Sequence, residues 1–249
     1  MIINPKKLKV NKDFNSEEYL ILKTKFVYNI MRLDADSIPS EMTFDNIYML
    51  AEEGSVNGVL RFEDILFAVN SLELFDYIID TIYEPINIDY IKKCHQILTA
   101  HSQIDKLYNM SGCFKLNNLN KSNKLNVSKN YTKLESDLND ILSNNSLANN
   151  LLNAKSKSIK FRCDFDAVKP FNEFNYKISE LLYFKLCLIN NLDIIIFDFE
   201  SLSYYNTLIN SNLDFIISYH ELSKLFDYFK VSTDIILTEI GFVDIFKKI

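Results

Sequence analysis

Lys169-Pro170-Phe171-Asn172-Glu173-Phe174-Asn175-Tyr176-Lys177-Ile178-Ser179-Glu180 runs directly into Leu181-Leu182-Tyr183-Phe184-Lys185-Leu186-Cys187-Leu188. The first part is a polar turn holding Pro170, Phe171, Asn172, Glu173 and Asn175. The second is an apolar helix, in which Ile178, Leu181, Leu182, Lys185 and Leu186 recur at intervals of three and four. A polar loop feeding a buried helix is a natural anion site. The first helical turn leaves backbone N–H groups unpaired, and the helix dipole favours negative charge there.

Composition frames that stretch. At 249 residues the chain suits one domain with a sizeable core, or one with a short appended piece. Hydrophobic content of 48% and charged content of 24% are those of a globular protein, not a disordered one. Only 4 Gly and 4 Pro punctuate the chain, which favours long helices over a many-stranded β fold. The net charge of -6 argues against nucleic acid held by bulk electrostatics. No window reaches the roughly 18 to 20 apolar residues of a membrane span. Residues 1–10 carry positive charge with no apolar core behind them, unlike a signal peptide. Cys94, Cys113, Cys163 and Cys187 form no CxxC pair, and His95, His101 and His220 do not stand at zinc-ligand spacing from them. Reduced, mostly buried thiols in a cytoplasmic protein are therefore expected.

The twelve positions from Lys169 to Glu180 resemble the signature of the Fic (Fido) family, whose members transfer nucleotide monophosphates, usually AMP, to protein hydroxyls. The family pattern is His-Pro-Phe-x-Asp/Glu-Gly-Asn-Gly-Arg-x-x-Arg. Pro170, Phe171, Glu173 and Asn175 match it. The catalytic His is replaced by Lys169, the glycines by Phe174 and Tyr176, and the arginines by Lys177 and Glu180. The resemblance implies a mainly α, Fic-like helical fold with a small β-hairpin flap.

Other segments follow in family order. A helix is predicted from Ser16 to Asp34, with Tyr19, Leu22, Phe26, Ile30 and Met31 on its apolar face. A short helix from Thr43 to Glu53 should close on Gly54. Ser37 and Glu41 resemble the first and fifth positions of the family's inhibitory Ser/Thr-x-x-x-Glu-Gly/Asn motif, and Met42 departs from the sixth. The partner of such a glutamate would be the second motif arginine, here Glu180, and two carboxylates repel. Residues 61–83 read as a long helix in which Asn70, Tyr77 and Ile78 fall at family-like positions. In the helix from Asp89 to His101, His95 resembles a structural histidine. Ser111-Gly112-Cys113-Phe114-Lys115 is similar to the segment before the family's flap, which would then span residues 116–130 and clamp a target peptide by strand addition. Two helices, residues 131–144 and 147–167, lead into the motif. Helices over 201–209, 213–229 and 232–248 follow it, and Tyr204 and Tyr205 resemble a position near the family's adenine pocket. The reading divides the chain into N-terminal helices (1–60), a Fic-like core (61–210) and C-terminal helices (211–249), together one compact unit.

By resemblance, Lys169 stands at the general-base position. A free lysine has a pKa of about 10.4 and is a cation near pH 7. Asp164, Asp166 and Glu173 lie close in sequence and would raise it further, so attraction of phosphate suits Lys169 better than base catalysis. Glu173 is the expected Mg²⁺ ligand, and Glu173, Asn175 and Lys177 the expected nucleotide-binding set, with ATP as the implied nucleotide. Phe174 and Tyr176 add bulk where glycines let the backbone approach phosphate, and disfavour left-handed backbone angles. Glu180 should repel a γ-phosphate. The expected function is a Fic-like protein with a degenerate nucleotidyltransferase (AMPylation) site, catalytically impaired, acting on a protein target or regulatory protein. The alternatives are an active adenylyl-, other nucleotidyl- or phosphoryl transferase with non-standard residues, and a helical interaction protein unrelated to the family.

Overall fold

The computed structural model describes residues 2–3, 17–31, 40–107, 110–115, 131–144, 151–190 and 194–195. Among them are helices α1 (Glu17–Ile30), α2 (Phe44–Glu53), α3 (Phe62–Asp80), α4 (Ile88–Leu98), α5 (Gln103–Lys106), α6 (Tyr131–Asn144), α7 (Leu151–Val168) and α8 (Asn175–Asn190). Strands β1 (Ile2–Ile3) and β2 (Ile194–Ile195) pair antiparallel, Ile2 opposite Ile195. The expected flap at 116–130, the inhibitory-motif residue Ser37 and the helices expected beyond residue 200 lie outside the described residues. So do Tyr204 and Tyr205.

Local chemistry sets the helix ends. Thr43 caps α2: its side chain accepts from the Asn46 N–H at 3.2 Å, and Asn46 Oδ1 accepts from the Thr43 N–H at 3.2 Å. Gly54 ends α2 at φ 70 and donates its N–H to Leu50 O. Asn87 caps α4 by accepting from the Tyr90 N–H at 2.8 Å.

The fold is arranged around α8. From Ile178 to Phe184 every side chain of this helix is buried, as befits a helix enclosed on all sides. It packs against α7, α3 and α4. Phe184 stacks on Phe75 of α3 and contacts Phe26 of α1, so residues on both sides of position 60 share one core. A second, smaller cluster lies where α1, α2 and α3 meet, formed by Val27, Met31, Met42, Ile47, Ala68 and Leu72. Asn70 ties α3 to the end of α4 by donating to Leu98 O and Ala100 O.

A helix buried all round must also bury its charges. Lys177, Glu180 and Lys185 of α8 are all inside, and each meets its partner from another element. Lys177 Nζ donates to Ile30 O, the end of α1, at 3.0 Å. Lys185 Nζ donates to Thr81 O, just past α3, at 2.6 Å, and stands 3.7 Å from the Tyr90 ring centroid. Both lysines thus cap the C-terminal ends of other helices, where carbonyls lack intrahelical donors and the dipole is negative. Glu180 pairs with Arg162 of α7. Among the described residues no helix is long and apolar enough to cross a membrane.

Candidate functional site

The loop between α7 and α8 is built from both ends. Lys169 closes α7 with φ 45 and donates its N–H to Phe165 O at 3.0 Å. Pro170, which cannot continue the helix, follows. Its carbonyl accepts from the Lys115 N–H at 2.9 Å, so the 110–115 segment is pinned to the loop. Phe171 points inward, 1% exposed. Its ring stacks on His95 at 3.9 Å and 11° and meets Phe114 at 5.2 Å. Asn172 and Glu173 form the exposed tip, where Asn172 Nδ2 lies 3.1 Å from Met110 Sδ.

Asn175, the first residue of α8, uses both ends of its amide on the loop. Its Oδ1 accepts from the Phe171 N–H at 2.8 Å, and its Nδ2 donates to Phe171 O at 2.9 Å. An asparagine in this arrangement has spent its best-aimed donor and acceptor on shaping the turn.

Phe174 has φ 61. The bulky side chain was expected to disfavour that left-handed angle, yet the loop keeps it. The reason lies outside the loop: the ring stacks on Phe67 of α3 at 5.1 Å and 18°. This contact offsets a backbone cost of about 1 to 2 kcal/mol. Tyr176 has become a half-buried residue of α8 whose ring lies 4.9 Å from Lys169 Nζ.

The expected phosphate-binding side chains are not brought together. Lys177 has its ammonium on Ile30 O, 4.6 Å from the Phe67 ring centroid and 6.0 Å from that of Phe174. Glu180, expected to repel a γ-phosphate, is buried against Arg162. Burial raises the Glu180 carboxyl, and the Arg162 guanidinium pulls it back down. Lys169 lies over Tyr176. Of the carboxylates expected beside it, Asp164 is held by Lys160 at 2.8 Å and Asp166 is buried. Glu173, the expected Mg²⁺ ligand, is exposed at the tip. Glu41 is exposed before α2, and its backbone N–H reaches Asp64 Oδ2 at 3.4 Å. Among the described residues no group of three or more His, Cys, Asp or Glu side chains is placed to hold a metal ion.

His95 is a core residue, 2% exposed. Its Nδ1 accepts from the Gly112 N–H at 3.0 Å, which leaves the ring proton on Nε2. Burial pushes its pKa down to about 4, partly offset by the Glu173 backbone carbonyl. Gly112 has φ 72, and a Cβ there would sit 3.1 Å from Lys92 O, so the turn that supplies this bond needs glycine.

Arg162 escaped the sequence reading. Ser158, Arg162 and Asp166 recur at intervals of four along α7, a pattern that looks like a solvated face. All three are buried, at 2%, 1% and 0% exposure. The acidic residue at a motif position where the family carries arginine was the available signal, because a buried Glu180 requires a cation nearby.

With this geometry in hand, comparison with solved structures identifies the fold. The chain is similar to a Fic domain containing signaling protein from Bacteroides thetaiotaomicron, with a TM-score of 0.63 and 14% identity over 84% of this chain and 81% of that one. It is similar to a fragment of Fic-1 from C. elegans, with a TM-score of 0.62 and 12% identity over 90% of this chain and 69% of that one. A variant of that fragment gives 0.60 and 14% over 89% and 65%. The chain therefore has the Fic fold. No family model and no curated protein matches its sequence.

Proposed function

We propose that this Fic-fold chain carries a nucleotidyltransferase site converted to packing, and that it acts by binding a protein partner in the cytoplasm rather than by transferring AMP. One observation carries the reading. The motif side chains Phe174, Asn175, Lys177 and Glu180 each have an internal role, and only Glu173 of the expected nucleotide-binding set is left at the exposed tip. Asn175 bonds both backbone groups of Phe171, and Lys177 caps α1. Glu180 is paired with Arg162, and Phe174 is stacked on Phe67. Moving either buried charge to serve a ligand would leave its partner desolvated and unmatched, at a cost of about 3 to 5 kcal/mol for the ion pair.

Calorimetric titration with Mg-ATP tests this. No heat of binding and no label transfer from ATP or other nucleoside triphosphates are expected. Binding that Glu173→Ala weakens, accompanied by transfer of label to protein, would overturn it.

Glu173 itself favours a second reading. It is exposed at the loop tip beside a backbone that keeps the left-handed turn at Phe174, and so is free to meet a Mg²⁺-bound nucleotide. In that reading the attacking hydroxyl oxygen bonds to phosphorus, pyrophosphate leaves, and a phosphate oxygen takes the hydroxyl proton in place of the missing imidazole. The same titration separates the two.

A further inference from the structure

The outward side of α3 carries a line of side chains that the motif loop does not use. Phe62, Val69, Glu73 and Asp80 stand at intervals of seven, four and seven. At 3.6 residues per turn they project within about 20° of a common line that runs about 27 Å along the helix. All four are exposed, Phe62 by 65% and Val69 by 40%. Val59, fully open at 99%, stands just before the helix on the same end. The face is therefore apolar at its N-terminal end and acidic at its C-terminal end.

Its electrostatic setting is mostly acidic, with Lys23 of α1 paired to Asp76 of α3. Residues 40–90 contain eleven carboxylates and one basic residue, Arg61. The Arg61 guanidinium is forked on Asp64, at 2.9 and 3.1 Å. Asp80 lies in the last turn of α3, where the helix dipole is already negative and the helix has no basic residue. Lys185, at that end, is buried and bonded to Thr81 O. A carboxylate in this place costs helix stability, so the local preference does not explain it. A cationic partner would reverse the sign of that cost.

We propose that this face of α3 docks a basic amphipathic helix of a partner protein. Two apolar side chains of that helix, seven apart, would cover Phe62 and Val69. Lysine or arginine four and eleven residues further on would meet Glu73 and Asp80. This is helix-on-helix recognition, with an aromatic anchor at one end and charge fixing the register. The inference deepens the partner-binding reading above and rests on it. It concerns a surface away from the motif loop, so peptide binding at α3 and nucleotide binding at the loop fail independently.

The test uses the full chain and a synthetic helical peptide of about 20 residues with leucine and lysine at those spacings. Controls are a shuffled peptide of the same composition and a peptide with glutamate for lysine. Fluorescence anisotropy should report binding of the patterned peptide that weakens with added salt. Glu73→Lys with Asp80→Lys, and separately Phe62→Ser with Val69→Ser, should each weaken it about tenfold or more. All four positions are exposed, so circular dichroism should be unchanged. The shuffled peptide should bind about tenfold more weakly and the acidic one not at all. The proposal is overturned by no binding, by equal binding of the shuffled peptide, or by indifference to Phe62→Ser with Val69→Ser. It is also overturned if the peptide binds only after Lys6, Lys7, Lys9 and Lys12 are changed to serine. In that case the chain's own basic N-terminal segment is the occupant.

Discussion

Asn175→Ala separates a ligand-binding asparagine from a loop-building one. The wild-type amide holds the Phe171 N–H at 2.8 Å and the Phe171 carbonyl at 2.9 Å, and Phe171 is 1% exposed. Alanine removes both partners at once. Each buried backbone group left unsatisfied costs about 1 to 3 kcal/mol, and partial opening of the loop to water recovers some of it. A loss of about 3 kcal/mol is expected. With a urea slope of about 2 to 3 kcal/mol/M, the unfolding midpoint should fall by about 1 to 1.5 M with no change in slope. Asn175→Asp keeps the acceptor and loses the donor, so its midpoint should lie between. A side chain reserved for nucleotide would behave otherwise, because its removal would cost the apo protein less than about 0.5 kcal/mol. A midpoint shift that small in urea unfolding followed by circular dichroism would refute the structural role assigned to Asn175, and with it the observation behind the proposed function.

Removing Arg162 alone, as Arg162→Met, should destabilise the fold by about 3 to 5 kcal/mol, while Arg162→Met with Glu180→Leu should recover most of that in thermal unfolding. His95 has a folded pKa of about 4 against an ordinary value near 6.5. Its contribution is therefore complete above about pH 6.5 and lost progressively as pH falls towards 4, by about 3 kcal/mol in total. The His95→Phe curve should lack this loss, so the difference between the wild-type and variant stability–pH curves should change by about that increment between pH 6.5 and 4. Burial lowers Lys185 to about 8, so its unfolded form binds the proton more tightly, and stability should rise as pH climbs from about 8 to 10.5. Lys185→Met should lack this rise in denaturant unfolding across the same range. Phe174→Gly and Phe174→Ala both lose the stack on Phe67, but only alanine retains a left-handed penalty. Glycine should therefore be the more stable of the two by about 1 kcal/mol in urea unfolding.

The helices were legible because their periodicity and end signals are local. Thr43 and Gly54 bracket α2 as their side-chain chemistry demands, and residues 131–144 form one helix as their apolar spacing requires. The fold was legible from a short motif in which Pro170, Phe171 and Asn175 are retained, because those residues shape the loop: Pro170 and Phe171 join it to the 110–115 segment and to His95, and Asn175 fastens its backbone. The apolar stripe of α4 likewise identified His95 as a core residue.

Among the described residues, sequence alone therefore determined the longer helices, their order and the Fic-like loop at their centre, since each follows from residues near one another in the chain. Tertiary structure decided what the altered motif residues do. Lys177, beside a polar loop feeding a helix N-terminus, reads as a phosphate ligand until Ile30 O, 147 positions away, accepts its N–H. Glu180 reads as a repulsive charge until Arg162, on a face that looks solvated, comes to meet it inside. A left-handed Phe174 is disfavoured until Phe67 supplies a ring to stack on. The energy of a buried charge or a strained turn depends on its partners, and those partners are brought close only by packing α1, α3 and α7 around α8.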